Sequence, residues 1–331
     1  MLNKKKISSQ INIFCQKIGK NKLLVQGGGG NVSWKDKSTL WIKASGTNLS
    51  KAGKKNIFAA VDLHKLQKSI KLGHFFEKPI VRNADLIPSI ETYMHAVIPH
   101  KIVVHLHSID FLSILIQKKC EIYLKTILKE YDYVFLNYVK PGGHLAKLIY
   151  KKNIKYKKIN LILLKNHGII ISSDDLKLIN TFLYEILKII SIRNFPKLKY
   201  KKYRVKKIKG YKFCTSQKIQ NIVLNKNIYT NLKKKWAICP DHINYLGSSP
   251  FVFERFNSFL LSSKTMAPYL FFKDSGVYER ITNTKSHRDQ LTAYYDTMIR
   301  QSDFNYIDIL NQKQIKDIIF WDIEIYRRYL K

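Results

Sequence analysis

The spacing of apolar residues between positions 8 and 192 switches repeatedly between the two-residue period of strands and the longer period of helices. It predicts helices over residues 8–20, 63–70, 88–99, 111–117, 143–151 and about 174–192. It predicts strands over residues 39–43, 58–61, 102–107, 133–136, 160–165 and 168–171. Asp62 and either Ser173 or Asp174 carry short acceptor side chains typical of helix N-caps. Interleaved strands and helices predict an α/β core.

The segment over residues 197–209 is strongly basic and shows neither period, so we interpret it as a connector. The part before it, residues 1–196, is predicted to form the core domain. The part after it, residues 210–331, has weaker patterns that predict strands over 250–253 and 269–272 and helices over 285–301 and 311–330. We expect this extension either to complete the core or to form a contact between subunits.

The composition indicates a globular protein, since 45% of the 331 residues are hydrophobic. No apolar run approaches the roughly 20 residues that span a bilayer, and Ser8, Ser9 and Gln10 interrupt the apolar segment that a signal peptide needs. We therefore expect a cytoplasmic protein with no membrane partner. The four cysteines are scattered without a CxxC pair, so a metal site would need histidine and carboxylate ligands.

The formal net charge is +36, from 59 Lys and Arg against 23 Asp and Glu. Such an excess can indicate nucleic-acid binding, but here it consists mostly of lysine and is spread along the whole chain. Arginine, the residue that most often reads bases, is scarce. The pattern is typical of a solvated lysine surface, so we do not expect nucleic acid to be a partner. The charge would still favour an anionic substrate such as a sugar phosphate.

Two histidines alternate in the strand predicted over residues 102–107, so His105 and His107 project from one face with room for an ion between them. A lone HxH pair is more often a pair of hydrogen-bonded strand histidines. His167 is the best third ligand, because Gly168 after it lets the backbone turn tightly beside a site. Together the three imidazoles predict a catalytic zinc site with an open position for substrate. The alternative ligands are His95, His100 and His144.

Glu91 lies shortly before the strand that carries His105, in a segment that is largely apolar on both sides. A glutamate on a helix is usually solvated. A carboxylate beside a metal can instead be a ligand, a general base, or both in turn. The apolar setting favours this second interpretation and makes Glu91 the candidate acid/base.

Three turns of small residues are candidate anion-binding loops. Gly27 to Gly30, followed by Asn31, offers successive backbone N–H groups that can surround a phosphate or carboxylate. Ser45 and Gly46 lie in a turn at a strand end, and Ser89 lies near a predicted helix N-terminus, where the helix dipole favours anions. Each turn alone is more typical of ordinary turn chemistry. The glycine run matches neither a Rossmann nor a Walker pattern.

These motifs, in this order, resemble the class II (zinc-dependent) aldolase/adducin family. The matching segments are Gly30-Asn31-Val32-Ser33, Ala44-Ser45-Gly46-Thr47, Pro88-Ser89-Ile90-Glu91, His105-Leu106-His107 and Asn166-His167-Gly168. The resemblance implies a three-layer α/β/α fold with a mainly antiparallel central sheet, with residues 1–196 as the aldolase core. It also implies assembly into a homo-oligomer, often a tetramer.

The resemblance further implies a Zn²⁺ ion, or another divalent metal, on His105, His107 and His167, with Glu91 as the acid/base. The residues implied to bind the phosphate of the substrate are Gly30, Asn31, Ser45, Gly46 and Ser89. Ile90 departs from the pattern of the fuculose-phosphate enzymes, which have a second serine at this position.

Longer stretches, such as Pro240-Asp241-His242 and the ending DIEIYRR, are similar to the aldolase half of bifunctional rhamnulose-phosphate aldolase/lactaldehyde dehydrogenases. Because the chain stops at Lys331, we expect no nucleotide-binding half. The implied function is a metal-dependent aldolase, a lyase that cleaves or forms a C–C bond in a sugar phosphate or related keto-sugar through a zinc-stabilised enediolate. The alternatives are a sugar-phosphate 4-epimerase on the same site and a non-catalytic adducin-like binding protein.

Overall fold

The computed structural model describes residues 2–82, 86–191, 195–260 and 266–321. Within these ranges the chain divides into two compact units. Of the described residues, the first unit comprises 2–82, 86–111 and 121–191, and the second comprises 112–120, 195–260 and 266–321. Each unit has a sheet and a buried apolar core of its own.

The helices, in chain order, are α1 (Leu2–Lys20), α2 (Leu63–Lys71), α3 (Thr92–Val97), α4 (Ile109–Leu115), α5 (Cys120–Ile127), α6 (Gly143–Lys151), α7 (Leu176–Ile190), α8 (Gln217–Leu224), α9 (Lys226–Asn231), α10 (Pro240–Leu246), α11 (Phe256–Leu260), α12 (Lys285–Met298) and α13 (Gln312–Ile319). The strands are β1 (Asn31–Lys35), β2 (Thr39–Lys43), β3 (Phe58–Asp62), β4 (Ile102–Leu106), β5 (Val134–Leu136), β6 (Asn160–Leu164), β7 (Gly168–Ser173), β8 (Tyr211–Phe213), β9 (Phe251–Phe253), β10 (Tyr269–Phe272) and β11 (Gly276–Arg280).

The first unit is organised around a seven-stranded sheet in the order β3-β2-β1-β4-β7-β6-β5. Neighbouring strands are antiparallel except β5 and β6, which run parallel at one edge. The register places Asn31 of β1 opposite His105 of β4, and His105 opposite Ile170 of β7. The predicted α/β fold with a mainly antiparallel sheet is therefore confirmed, with one parallel pair that makes the sheet mixed.

Both faces of this sheet are buried, which explains why its central strands carry nearly continuous apolar runs. On one face, Val103 packs in a core with Leu66 of α2, Met94 of α3 and Leu145 of α6. Val104 projects to the opposite face by alternation and is also fully buried. Burial of each large apolar side chain contributes about 1.5–3 kcal/mol, so this core is what fixes the strands that carry the candidate site.

Several predicted boundaries are confirmed. Strands β2 and β10 and helix α6 occupy the predicted residues. Asp62 caps α2, because its side chain accepts a hydrogen bond from the Lys65 N–H. Strand β4 ends at Leu106, so His107 is the first residue after the strand instead of its last. Helix α5 was not predicted.

The helix predicted to start near Pro88 begins only at Thr92. Pro88 forms a bridge with Ala44, and a turn closes from the Ser89 carbonyl to the Thr92 N–H at 3.0 Å. These contacts hold the chain in a non-helical path until Glu91, which is the N-cap residue of α3. The prediction that Glu91 lies within a helix was therefore wrong by one residue.

The predicted cap of the long helix was also wrong. Ser173 still belongs to strand β7, so the chain leaves the sheet later than the pattern suggested. Asp175, and not Ser173 or Asp174, caps α7 by accepting a hydrogen bond from the Lys177 N–H at 2.8 Å.

The second unit contains a four-stranded sheet in the order β8-β11-β10-β9. Its larger core brings Trp236, Phe271 and Tyr294 into contact, and a smaller cluster surrounds Phe272 and Tyr278. Helix α13 covers the start of the helix predicted over 311–330, whose last part, with the DIEIYRR motif, lies outside the described residues. The domain boundaries drawn from the sequence stay a prediction.

None of the described helices combines the length and the apolar composition that crossing a bilayer requires.

Candidate functional site

The ends of two adjacent strands of the first unit bring three histidines together. His105 lies near the end of β4, and His107 is the first residue after that strand. His167 lies in the tight turn between β6 and β7, where Asn166 has a left-handed backbone with φ of 53°. Because β4 and β7 are paired in the sheet, this turn lies beside the end of β4.

The potential ligand atoms of His105, His107 and His167 all lie within 4.8 Å of one another, and all three side chains are buried. The Nε2 atoms of His105 and His107 are 3.0 Å apart. Two imidazole nitrogens on one tetrahedral zinc ion lie roughly 3.3 Å apart, given Zn–N bonds of about 2.0–2.1 Å. The donor set and its spacing therefore fit a single small divalent cation.

The tautomer of His105 is defined by its backbone partner. Its Nδ1 lies 2.9 Å from the carbonyl oxygen of Ile169, which can only accept a hydrogen bond. Nδ1 therefore carries a proton and donates, which leaves Nε2, the atom that faces His107, as the potential ligand atom. An imidazole held in this way by a backbone carbonyl is the usual support of a metal ligand.

Gly168 allows the turn carrying His167 to lie close to β4. A Cβ atom at this position would lie 2.3 Å from the Leu106 carbonyl oxygen and 3.3 Å from Cδ2 of His107. No side chain is compatible with the first of these distances. The glycine that the sequence marked for backbone flexibility is thus required here for close packing.

Glu91 lies directly against the cluster and is 4% exposed. Its Oε2 is 3.5 Å from Nε2 of His105, and its Oε1 is 3.8 Å from Nε2 of His167. The Asn31 side-chain amide donates a hydrogen bond to Oε2 at 2.5 Å. The structure thus brings together the predicted acid/base and the three predicted ligands, whose roles stay predictions.

The three candidate anion-binding segments also converge in the first unit. We call residues 27–31 the glycine loop and residues 44–48 the serine loop. The side-chain amide of Asn48 donates to the Gly27 carbonyl at 3.0 Å and so joins the two loops. Asn31 connects the glycine loop to Glu91.

The two serines predicted to bind phosphate brace the serine loop and the segment before α3. The Ser45 N–H donates to the Ile87 carbonyl at 2.8 Å, and the Ser45 hydroxyl donates to the Pro88 carbonyl at 3.3 Å. The Ser89 hydroxyl accepts a hydrogen bond from the Glu91 N–H at 3.2 Å. These contacts fix the loops around Glu91, and a direct contact with phosphate stays a prediction.

The glycines of the two loops differ in exposure. Gly30 is buried with φ of 68°, and a Cβ atom there would lie 3.1 Å from the His105 carbonyl oxygen. Gly46 is exposed with φ of 73°. The sequence pattern suggested that successive N–H groups of the glycine loop are available to an anion. The Gly29 N–H instead donates to the Gln26 carbonyl, so at least this one is used within the protein.

The structure places the alternative histidines in other environments. His95 is fully buried, with Nδ1 2.7 Å from the Ser33 hydroxyl, and burial lowers its pKa well below the ordinary value, so it is neutral. His100 is bonded through Nδ1 to the Ser172 hydroxyl. His144 is exposed and its ring lies against Phe76. Within the described residues, the one group of three or more His, Cys, Asp or Glu residues close enough to share an ion is the cluster of His105, His107 and His167.

Sequence analysis missed Lys43, which is 2% exposed although lysine is rarely buried. Its ammonium group donates to the carbonyls of Gly28 and Thr47, both at 3.0 Å. Alternation along β2 places the Lys43 side chain on the face of the strand opposite to that of Ile42. Nothing in the sequence indicates that this second face is also buried.

Comparison with known proteins identifies the first unit. The sequence profile described as "Class II Aldolase and Adducin N-terminal domain" matches residues 10–192. Over 170 residues the chain is 26% identical to a protein of Bacillus subtilis (strain 168) named "Uncharacterized oxidoreductase YuxG". That match covers 46% of this chain and 24% of the other, so the chain spans about a quarter of the length of this curated relative.

Two solved structures are also similar. The N-terminal class II aldolase domain of a conserved protein from Thermoplasma acidophilum is 26% identical, with a TM-score of 0.48, over 54% of this chain and 90% of that chain. L-fuculose-1-phosphate aldolase from Thermus thermophilus is 14% identical, with a TM-score of 0.36, over 54% of this chain and 90% of that chain.

Proposed function

This chain belongs to the class II aldolase and adducin N-terminal domain family, and we propose that it is a metal-dependent aldehyde-lyase. In this proposal it cleaves or forms a C–C bond in a sugar phosphate or a related keto-sugar. Glu91 is the acid/base, and His105, His107 and His167 hold a divalent cation, which their nitrogen donors suit to Zn²⁺. The residues proposed to hold the phosphate are Gly30, Asn31, Ser45, Gly46 and Ser89.

The observation that carries this proposal is the burial of one carboxylate against three imidazoles. Glu91 lies within 3.5 Å of His105 and 3.8 Å of His167. Oε1 of Glu91 makes no hydrogen bond within the described residues. An unsatisfied buried polar group costs about 1–3 kcal/mol, and a binding scaffold gains nothing from that cost. The arrangement therefore favours catalysis over a non-catalytic, adducin-like role.

The contacts of Glu91 suggest how a proton is transferred to and from the substrate. Asn31 donates to Oε2 and fixes the plane of the carboxylate, which leaves Oε1 of Glu91 for proton transfer. Glu91 is positioned to remove the proton from the carbon next to a substrate carbonyl and to return it in the reverse direction. A bound cation supplies Lewis-acid stabilisation of several kcal/mol for the charge that develops on the substrate oxygen.

A phosphorylated substrate is supported by the charge of the chain and by the loops. The net charge of +36 attracts anions to the protein surface. The Asn48 amide joins the serine loop to the glycine loop, and Asn31 of the glycine loop donates to Glu91. A phosphate held there would place the carbonyl of a short sugar within reach of the histidine cluster.

The proposal is tested with dihydroxyacetone phosphate and a short aldehyde. Formation of a ketose phosphate is measured in the purified protein, after removal of metal with a chelator, and after addition of Zn²⁺. We expect the activity to be lost with the metal and restored by Zn²⁺. Full activity in metal-free protein would contradict the proposal. In a second assay that starts from a ketose phosphate, an epimerised sugar phosphate without free aldehyde would assign the site to a 4-epimerase instead.

A cytoplasmic location and a tetrameric assembly stay predictions from the sequence and its resemblance. Light scattering coupled to size-exclusion chromatography measures the assembly directly. We expect a mass near four times 38.9 kDa, and a monomer would contradict the tetramer.

A further inference from the structure

Lysine is spread along the whole chain, but the acidic residues are not. Residues 186–240 contain 16 lysines and arginines and no aspartate or glutamate. The density is greatest in residues 197–209, which we call the basic connector, where eight of the thirteen residues are lysine or arginine. A general preference for lysine adds cations, but it does not remove acidic residues. The net positive charge is therefore concentrated in one part of the chain.

The basic connector is fixed to the second unit although it contains no helix and no strand. Near its start, Leu198 packs against the larger core of that unit, and the Lys199 N–H donates to the side-chain oxygen of Asn221 at 2.7 Å. Near its end, the Lys206 N–H donates to the Tyr278 hydroxyl at 2.9 Å. The backbone of the connector thus has a defined path over the second unit.

The charged side chains of the basic connector face solvent. Seven of its eight cationic residues are exposed, namely Lys197, Lys199, Lys201, Lys202, Arg204, Lys207 and Lys209. Within the described residues, no ion pair includes any of these seven. Lys212, shortly after the connector, is in contrast 3.4 Å from the Glu279 carboxylate. The connector therefore presents a row of cations whose charge no acidic side chain neutralises.

An aromatic ring lies within this row. Tyr200 is 78% exposed and is flanked in sequence by the exposed Lys199 and Lys201. Proteins that bind single-stranded nucleic acid combine cations that follow the phosphates with aromatic side chains on which unpaired bases stack. The connector offers both features on one surface segment.

We infer that the basic connector, with Tyr200, binds single-stranded nucleic acid independently of its sequence. The cations neutralise successive phosphates, and the Tyr200 ring stacks on an unpaired base. Each residue of the chain spans at most about 3.3–3.6 Å, so cations one or two residues apart form a row that suits a linear polyanion. The expectation of no nucleic-acid partner rested on the type and spread of the cations, and the missing acidic residues change it for this segment.

An anionic membrane is the main alternative for exposed cations, since Val205 is also 59% exposed. Segments that bind membrane surfaces are typically amphipathic helices with a continuous apolar face. The basic connector contains no helix, and its apolar residues Leu198 and Ile208 pack against the cores of the second unit. One exposed valine offers little surface for insertion into lipid, whereas Tyr200 offers a ring to a base. The observations therefore favour nucleic acid.

The experiment measures fluorescence anisotropy of a labelled single-stranded RNA of about 15 nucleotides. The full-length, metal-loaded wild type is titrated between about 50 and 200 mM KCl. The variant combines Lys197→Gln, Lys202→Gln, Arg204→Gln and Lys207→Gln. Each lost phosphate contact reduces the slope of log affinity against log salt by about 0.7. We expect the slope of the variant to be shallower by about 1 to 3, and its affinity to be about 10- to 100-fold lower.

The matched control removes the same number of charges from exposed lysines of the first unit. It combines Lys54→Gln, Lys55→Gln, Lys68→Gln and Lys71→Gln. We expect its affinity for RNA to stay within about threefold of the wild type. Equal losses in the two combined variants would show that binding follows the net charge of the protein, which would overturn the inference.

Tyr200→Ala tests the stacking of a base and changes only one exposed side chain, so it serves even if the combined variant does not fold. We expect a loss of about 5- to 50-fold in affinity for the single strand. Tyr306→Ala, at an exposed tyrosine of the same unit, should bind like the wild type. Unchanged affinity in Tyr200→Ala, or tighter binding of the wild type to an RNA duplex than to the single strand, would overturn the inference.

Vesicles of phosphatidylserine and phosphatidylcholine provide the test against a membrane. Binding of the wild type to these vesicles without binding to RNA would overturn the inference in favour of a membrane. Neither measurement uses a sugar phosphate or requires turnover. The inference goes beyond the proposed function, and a protein that binds RNA but has no aldolase activity would refute that function alone.

Discussion

Asn31 donates a hydrogen bond from its side-chain amide to Oε2 of Glu91 at 2.5 Å, and both side chains are buried. Asn31 is also the strand partner of His105, so the backbone pairing of β1 with β4 sets the position of the amide. One residue therefore connects the glycine loop, the candidate acid/base and the strand of a candidate metal ligand. A change at Asn31 should alter proton transfer before it alters metal binding.

Asn31→Asp tests this relationship with almost no change in side-chain shape. The substitution places a second carboxylate against Glu91, and two carboxylates at this distance cannot easily both be ionised. We expect kcat at neutral pH to fall about 10²-fold, with the metal content unchanged. Steady-state kinetics and metal analysis by mass spectrometry measure the two quantities.

Asn31→Ala is the control, since it removes the donor without adding charge. Its kcat should fall less than that of Asn31→Asp. Wild-type kcat in Asn31→Asp, or loss of the metal from that variant, would show that Asn31 does not act through Glu91.

Gly168→Ala should disturb the metal site through packing alone. The added methyl group would lie 2.3 Å from the Leu106 carbonyl oxygen, so the turn that carries His167 must move. We expect an overpacking cost of about 1–3 kcal/mol in the free energy of unfolding, together with weaker metal binding. Urea denaturation and competition with a chelator provide the measurements.

The matched control is Gly73→Ala. Gly73 has φ of 79°, and a Cβ atom added there would lie in open space, so this substitution adds backbone strain without a clash. It should lower stability by about 1–2 kcal/mol and leave metal affinity unchanged. Equal metal affinity in both variants would mean that the turn after β6 does not position His167.

Removing the metal should lower the thermal stability of the wild type. A ligand that binds only the folded state at 100 times its Kd stabilises that state by about 2.7 kcal/mol. We expect Tm to fall when a chelator is added and to return with Zn²⁺, as measured by scanning calorimetry. His107→Ala should show no such response, whereas His144→Ala, an exposed histidine beside Phe76, should respond like the wild type. A chelator response that survives in His107→Ala would place the ion elsewhere.

The second unit should lose stability in acid because of His242. Burial lowers the pKa of this side chain from 6.5 to about 3, so it stays neutral in the folded protein. The unfolded chain takes up the proton below pH 6.5, and stability therefore falls as the pH decreases from about 6.5 toward 3. Each proton contributes up to about 1.4 kcal/mol per pH unit to this slope.

The measurement is urea denaturation between about pH 4.5 and 7.5. This range includes most of the titration of His242 in the unfolded chain, which takes up about one proton. We expect His242→Gln to have a shallower dependence of unfolding free energy on pH than the wild type, whatever its stability at neutral pH. Parallel curves for the two proteins would show that His242 is not the group that takes up this proton.

The fold of the first unit could be predicted because its core obeys simple periods. β2 carries the apolar run Leu40-Trp41-Ile42, and α6 carries its buried side chains Leu145, Ala146 and Ile149 at helical spacing. The histidine cluster was predictable for a related reason: the two-residue period places His105 and His107 on one face. The turn at Gly168 then brings the third imidazole to the end of β4.

The short helices of the second unit could not be predicted in the same way. All seven residues of α10 (Pro240–Leu246) are buried, including Asp241 and Asn244, so this helix has no polar face to create an amphipathic period. The boundary near Glu91 was missed because the helix start depends on the distant bridge between Pro88 and Ala44. Contacts between residues far apart in sequence leave no local signal.

Lys43 shows the same limit inside the candidate site. A lysine is expected to be exposed, but Lys43 is buried because other parts of the first unit cover that face of the sheet. This covering depends on tertiary packing. The residues that sequence analysis found are those whose chemistry is unusual, such as closely spaced histidines. The residue that it missed is a common one in an uncommon environment.

X-ray absorption at the zinc edge tests the central claim most directly, because it reports which atoms surround the ion in the purified, Zn²⁺-loaded protein. The account predicts one ion per chain with three imidazole nitrogens at about 2.0–2.1 Å, retained in Glu91→Gln and lost in a variant with all three histidines replaced by alanine. Sulfur ligands, an ion that survives the triple replacement, or no bound ion at all would contradict it.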